Sequence, residues 1–211
     1  MENKTPVLLY YPNIIGYIRI SSLMIAYYFM QSHISNYKLA SAYYLFSWML
    51  DALDGFTARY FNQCSKFGWV LDMVIDKTST ACLLMTIGRL YPEYQLICQM
   101  WFTLDIFAHW TYQMAMALNN KTSHKDVDDD SIPFLVKIFY KSRKSLFFIC
   151  AGCENFFAFV YIDYYVDYWV LDWLLVFTGV ITVFKTVISV SHFKHAVKLL
   201  VQLDESSEKD E

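Results

Sequence analysis

The chain has 211 residues, a formal net charge of −3, 56% apolar and 19% aromatic residues, and a mean hydropathy of +0.29. Its length admits one domain, no linker rich in Gly, Ser and Pro interrupts it, and no nucleic-acid partner is expected. Five cysteines, an odd number scattered through apolar sequence, argue for small buried hydrophobes and against a disulfide framework.

The N-terminal "MENKTPVLLYYPN" lacks the basic region and small-residue cleavage site of a secretory signal, so the first hydrophobic stretch, about 7–30, is expected to remain as a helix. Pro12–Asn13 and Arg19 interrupt it. A second stretch, about 39–61, carries Asp51 and Asp54, and a third, about 67–88, carries Asp72 and Asp76. "QLICQMWFTLDIFAHWTYQMAMAL", "SLFFICAGCENFFAFVYI" and "WVLDWLLVFTGVITVFKTVISV" give a fourth, fifth and sixth. A membrane-spanning helix needs about 20 mostly apolar residues. The predicted fold is therefore an all-α integral membrane protein with six transmembrane helices over 1–200. A polar tail, 201–211, is expected to be disordered.

Basic residues set the expected orientation. Lys121, Lys125, Lys137, Lys141, Arg143 and Lys144 lie between spans four and five, and Lys194, Lys198 and Lys209 follow the sixth. Both termini, and the loop beside the aspartates, are predicted to face the cytosol. The aromatic run "YIDYYVDYW" is expected in an interfacial belt.

Asp51 and Asp54 are three residues apart, Asp72 and Asp76 four. On helices each spacing stacks two carboxylates on one face, about 4.5–6 Å apart along the axis. The short connection makes the two helices antiparallel neighbours, so both pairs approach each other near one membrane surface. A charge at the bilayer centre costs at least about 2.5–3.5 kcal/mol, and four clustered carboxylates repel, so positive charge must neutralise them. Arg59, Lys66 and Lys77 are near in sequence, but three monovalent cations on two helices cannot converge on one point. Divalent Mg²⁺ or Mn²⁺, which prefer oxygen ligands, can. The competing structural reading is a buried Asp–Arg/Lys network that holds the helices together.

The pattern Asp51-x-x-Asp54-Gly55-x-x-Ala58-Arg59, eight residues, Gly68-x-x-x-Asp72-x-x-x-Asp76 resembles the signature of the CDP-alcohol phosphotransferase family. Members of that family are built on six transmembrane helices, usually form homodimers, and displace CMP from a CDP-linked substrate with an alcohol. "YPNIIGYIRI", "LDIFAHW", "SHK", "SR" and "CAGCE" are similar to the phosphatidylinositol synthase branch, with departures at Cys153 and after Trp110. The resemblance implies CDP-diacylglycerol and myo-inositol as substrates. It implies that Asp51, Asp54, Asp72 and Asp76 coordinate two divalent ions and that Asp76 is also general base toward the acceptor hydroxyl. Gly55, Ala58 and Gly68 would leave room for the cytidine-bearing substrate, and Arg59 would support the aspartates or the diphosphate. The endoplasmic reticulum is the expected membrane.

Asn13 and Arg19 are candidates for headgroup contact, although a kink at Pro12 and snorkelling by Arg19 explain them equally well. Arg143 and Lys125 are candidates for acceptor or diphosphate contact, set against the positive charge any such loop carries. Asp105 and His109, at i and i+4, are expected to form a structural pair, and Glu154 and Asn155 interhelical polar contacts. Competing functions are a related transferase accepting glycerol 3-phosphate, serine or an inositol phosphate, and a divalent-cation transporter using the aspartates as transport ligands.

Overall fold

The computed structural model describes residues 5–31, 33–118 and 143–207, with the backbone alone at 143–147 and 206–207. Six α-helices run through these residues, with no strand among them: α1 (Tyr11–Phe29), α2 (Tyr37–Tyr60), α3 (Lys66–Leu90), α4 (Gln95–Leu118), α5 (Arg143–Asp163) and α6 (Trp169–Ser207). The first five helices follow the hydrophobic stretches of the sequence to within a few residues. Lys125 lies outside the described residues, and Arg143 opens α5.

The chain divides into two compact units. The first comprises the residues up to Thr86 together with Tyr164–Val166, and the second holds the rest. In the first unit, local chemistry fixes how the helices begin and end. Asn36 caps α2, its side chain accepting the Leu39 amide at 3.2 Å. Asn62, at φ 53°, closes α2 in the left-handed conformation, with the Gln63 amide bonded to the Ala58 carbonyl at 2.9 Å. This paired C-terminal closure favours a residue that tolerates positive φ. Ser65 caps α3 by accepting the Gly68 amide at 2.9 Å. Gln63 Oε1 takes the Tyr11 amide at 2.8 Å, satisfying the first orphan donor of α1.

Contacts along α1 set the helix directions. Ser22 Oγ donates to the Tyr43 carbonyl at 2.8 Å, and Arg19 meets Asp54, so α1 and α2 are antiparallel. Asn13 lies against Gly68, Gly16 against Leu71 and Ile75, and Arg19 against Asp72 and Asp76, so α1 and α3 are parallel. A Cβ on Gly16 would stand 2.9 Å from Leu71 Cδ2, which shows how closely these two helices approach.

In the second unit, α4 and α5 pack on α6. Tyr112 stacks on His192 with ring centroids 4.9 Å apart and is buried with Ala115 and Ala196, while Met116, Leu199 and Leu200 close around them. Trp101 Nε1 donates to Thr186 Oγ1 at 3.1 Å. The Gly152 position passes α6 so tightly that a Cβ there would lie 2.8 Å from Ile181 Cγ2.

One sequence expectation is met in part and another needs correcting. Among the described residues only one helix, Trp169–Glu205, whose most apolar stretch has a mean hydropathy of 2.0, is long and apolar enough to cross a membrane by length and composition. The other helices carry charges and hydroxyls inside their apolar runs, as α2 does with Lys38, Asp51, Asp54 and Arg59, and these dilute the signal. Helix α6 also runs on to Ser207, well past the expected stop near residue 190. At 39 residues it extends about 58 Å, nearly twice the thickness of a hydrocarbon core. No Gly or Pro follows Gly179, and packing of Ala196, Leu199 and Leu200 on α4 rewards the continuation.

Much of the helical exterior is apolar. On α6, Trp173, Val176, Phe177, Val180, Val183 and Val187 are all exposed at helical spacing. A soluble monomer rarely shows so continuous a patch, whereas lipid accommodates one.

Candidate active site

Four carboxylates and one guanidinium form the polar centre of the first unit. Arg19, two turns into α1 and 3% exposed, reaches all four aspartates. Its Nη1 meets Asp54 Oδ2 and Asp72 Oδ1, each at 2.7 Å. Its Nη2 meets Asp51 Oδ1 at 2.8 Å and Asp76 Oδ1 at 2.5 Å. Each terminal nitrogen therefore joins one carboxylate of α2 to one of α3. The planar fork of arginine suits this arrangement, which a point-like ammonium could not reproduce.

The carboxylates differ in exposure. The Asp54 side chain is 10% exposed and lies on the buried side, while those of Asp51, Asp72 and Asp76 are 29%, 44% and 31% exposed. The three open aspartates each offer a ligand atom, all within 4.8 Å of one another. Mg²⁺ binds oxygen at about 2.0–2.1 Å, so oxygens on one ion lie no more than about 4.2 Å apart. A small contraction brings the three carboxylates to that spacing, and their all-oxygen donor set is the one Mg²⁺ and Mn²⁺ prefer. The residues fit a divalent metal site.

Arg19 is the functional residue that sequence reasoning placed elsewhere. Headgroup contact and snorkelling were its two readings, whereas the structure makes it the cation of the aspartate cluster. Arg59 is exposed, and its guanidinium folds back beside Gly55, with Nη1 3.4 Å from where a Cβ would stand. The only signal available for Arg19 was a basic residue in the middle of an apolar helix, with its partners 32 to 57 residues away.

The other predicted residues are placed as follows. Asn13 is 1% exposed and donates through Nδ2 to the Val7 carbonyl at 2.5 Å. Its Oδ1 occupies the space beside Gly68, where a Cβ would come within 2.7 Å. Ala58 is half-buried, and its carbonyl belongs to the closing turn of α2. In the second unit, Asp105 is buried, and His109 Nε2 lies 3.4 Å from Gln113 Nε2, one turn on. Glu154 and Asp105 both act electrostatically on Lys185 of α6. Asn155 instead donates to the Ala151 carbonyl of its own helix at 2.8 Å. All five cysteines are free.

Helices α1, α2 and α3 thus bring four signature aspartates to one centre, and the family model for CDP-alcohol phosphatidyltransferase matches residues 9–184. The chain belongs to the CDP-alcohol phosphatidyltransferase family. Within that family it is similar to proteins named CDP-diacylglycerol–inositol 3-phosphatidyltransferase. It is 37% identical to the one from Homo sapiens over 94% of each chain. It is also 37% identical to that from Candida albicans, over 94% of this chain and 84% of the relative. A relative from Arabidopsis thaliana, described as a probable enzyme of the same name, is 44% identical over 70% of this chain and 64% of its own. No solved structure matches the chain.

Proposed function

We propose that this protein transfers the phosphatidyl group of CDP-diacylglycerol to myo-inositol, giving phosphatidylinositol and CMP. One observation carries the reading: Asp51, Asp72 and Asp76 converge on an open face, with Asp54 behind them, in a chain of this family. The relatives' shared name supplies the donor and the acceptor.

Asp51, Asp54, Asp72 and Asp76 would hold two divalent ions, Mg²⁺ or Mn²⁺. When bound, such ions supply Lewis-acid stabilisation of charge on the diphosphate and on the departing CMP. The chain's own residues do the rest. Gly55 and Ala58, on the half-buried side of α2, leave room for the cytidine group, and the exposed Arg59 is available to the diphosphate. Gly68 serves the same site by admitting Asn13, which holds the start of α1 against α3. Asp76 accepts the proton of the inositol hydroxyl as its oxygen bonds to the phosphatidyl phosphorus and the phosphorus–oxygen bond to CMP breaks. A metal-bound carboxylate is a weak base, which suffices when positioning lowers most of the barrier. Arg143 and Lys125 are the candidates for acceptor contact.

The six helices are read as membrane spans, with both termini and the aspartates on the cytosolic side. This reading is supported by the apolar helix exteriors and by the distribution of Lys and Arg. The endoplasmic reticulum membrane and a homodimer complete the proposal.

The test is CMP release by the purified protein from CDP-diacylglycerol, with and without myo-inositol and with Mg²⁺ or Mn²⁺ added or chelated. Release should require both inositol and metal. Release with glycerol 3-phosphate, serine or an inositol phosphate, and none with inositol, would transfer the protein to another branch. Metal flux into liposomes without lipid turnover would make it a transporter.

A further inference from the structure

Arg19 already occupies the oxygens that the metals need. Its guanidinium lies within 2.8 Å of a carboxylate oxygen of each of the four aspartates, and those contacts span three helices. We propose that Arg19 is an internal counter-cation that holds the metal-free site together and competes with divalent ions for it. The inference rests on the metal-site reading above.

Charge and geometry both support it. Four carboxylates and one guanidinium leave three formal negative charges in a centre whose Arg19 and Asp54 are buried. Without Arg19 the four carboxylates would repel one another and α2 would part from α3. With it, Nη1 and Nη2 each tie an α2 carboxylate to an α3 carboxylate, so the ligands are gathered before a metal arrives. The same placement opposes metal entry. A divalent ion among Asp51, Asp72 and Asp76 would meet a full positive charge a few ångströms away, in a medium that screens it less than water. Arginine keeps its charge throughout, so deprotonation cannot relieve the repulsion. The guanidinium must withdraw from part of the cluster as metals load. Arg19 is on this view a positioning residue that sets metal affinity.

The experiment measures Mn²⁺ binding to the purified full-length protein in detergent, without substrate, by the loss of the free-Mn²⁺ paramagnetic resonance signal. Arg19→Met removes the charge while keeping an unbranched apolar chain. It should bind Mn²⁺ at least about tenfold more tightly than the parent, equivalent to about 1.4 kcal/mol. It should also melt lower without metal and recover more stability on saturation with Mn²⁺. Arg19→Lys guards against a misfolded Met variant. It keeps one charge but cannot reach four carboxylates at once, and should bind Mn²⁺ more tightly than the parent by a smaller factor. A merely structural arginine predicts the reverse, since its loss would scatter the ligands. Saturable binding by the parent with equal or weaker binding by both variants overturns this inference and leaves the metal site standing. No saturable binding by any of the three chains overturns the metal site and this inference together.

Discussion

Replacement of Gly68 by alanine tests whether this glycine serves the site by packing or by lining a substrate pocket. A Cβ at position 68 would stand 2.7 Å from Asn13 Oδ1 and 3.1 Å from Ser65 Oγ. The first distance forces a shift, because the Asn13 carboxamide is buried and tied to the Val7 carbonyl. Overpacking of this kind costs about 1–3 kcal/mol, and the better helix propensity of alanine returns up to about 1 kcal/mol. The net loss should be up to about 2 kcal/mol, and Tm moves by about 2–4 °C per kcal/mol in a chain of this size. Asn13→Ala by itself forfeits one hydrogen bond, worth about 1 kcal/mol. In the Asn13→Ala background the obstructing oxygen is gone, so Gly68→Ala should be nearly neutral. Thermal unfolding of the four proteins in one detergent gives the coupling, expected at up to about 2 kcal/mol. CMP release at matched temperature follows the same cycle, the double variant losing little more than Asn13→Ala does. Equal destabilisation by Gly68→Ala in both backgrounds would falsify the packing assignment. Normal stability with lost turnover would make Gly68 a substrate contact.

The aspartates should separate by depth. Asp51→Asn and Asp72→Asn, on the open face, should lose turnover and weaken Mg²⁺ dependence with little change in melting. Asp54→Asn should also lower Tm, because it removes a buried partner of Arg19 and such a bond to a charge is worth about 1.5–3 kcal/mol. Wild-type CMP release by any of the three at limiting Mg²⁺ removes that residue from the ligand set. Asp76→Asn should cut turnover by at least about 10²–10⁴-fold, the usual contribution of a general base, with CDP-diacylglycerol binding largely kept. Loss of nucleotide binding without a separate chemical defect would leave Asp76 a ligand only. Arg143→Ala should raise KM for myo-inositol or CDP-diacylglycerol in a folded protein, and unchanged kinetics return it to the general positive charge of its loop.

What the sequence determined by itself is local. Hydrophobic runs ended by Asn36, Asn62 and Ser65 mark helices because caps and stops act within a few residues, and α4 follows its predicted segment from Gln95 to Leu118. The i, i+3 and i, i+4 spacings place Asp51 with Asp54 and Asp72 with Asp76, since a helix fixes which neighbours share a face. The signature adds the family on the same short-range terms. Only the tertiary structure decided what meets these groups. The cation among the aspartates is Arg19, on a third helix, and no spacing along the chain encodes which helix lies opposite a pair of carboxylates. Gly68 likewise reads as room for a ligand until Asn13, 55 positions earlier, fills that room. The run of α6 to Ser207 depends on Tyr112 and Ala115 of α4 burying Ala196. Each of these is a contact between segments far apart in sequence, where the free energy comes from packing and charge across helices, and local propensity carries no record of it.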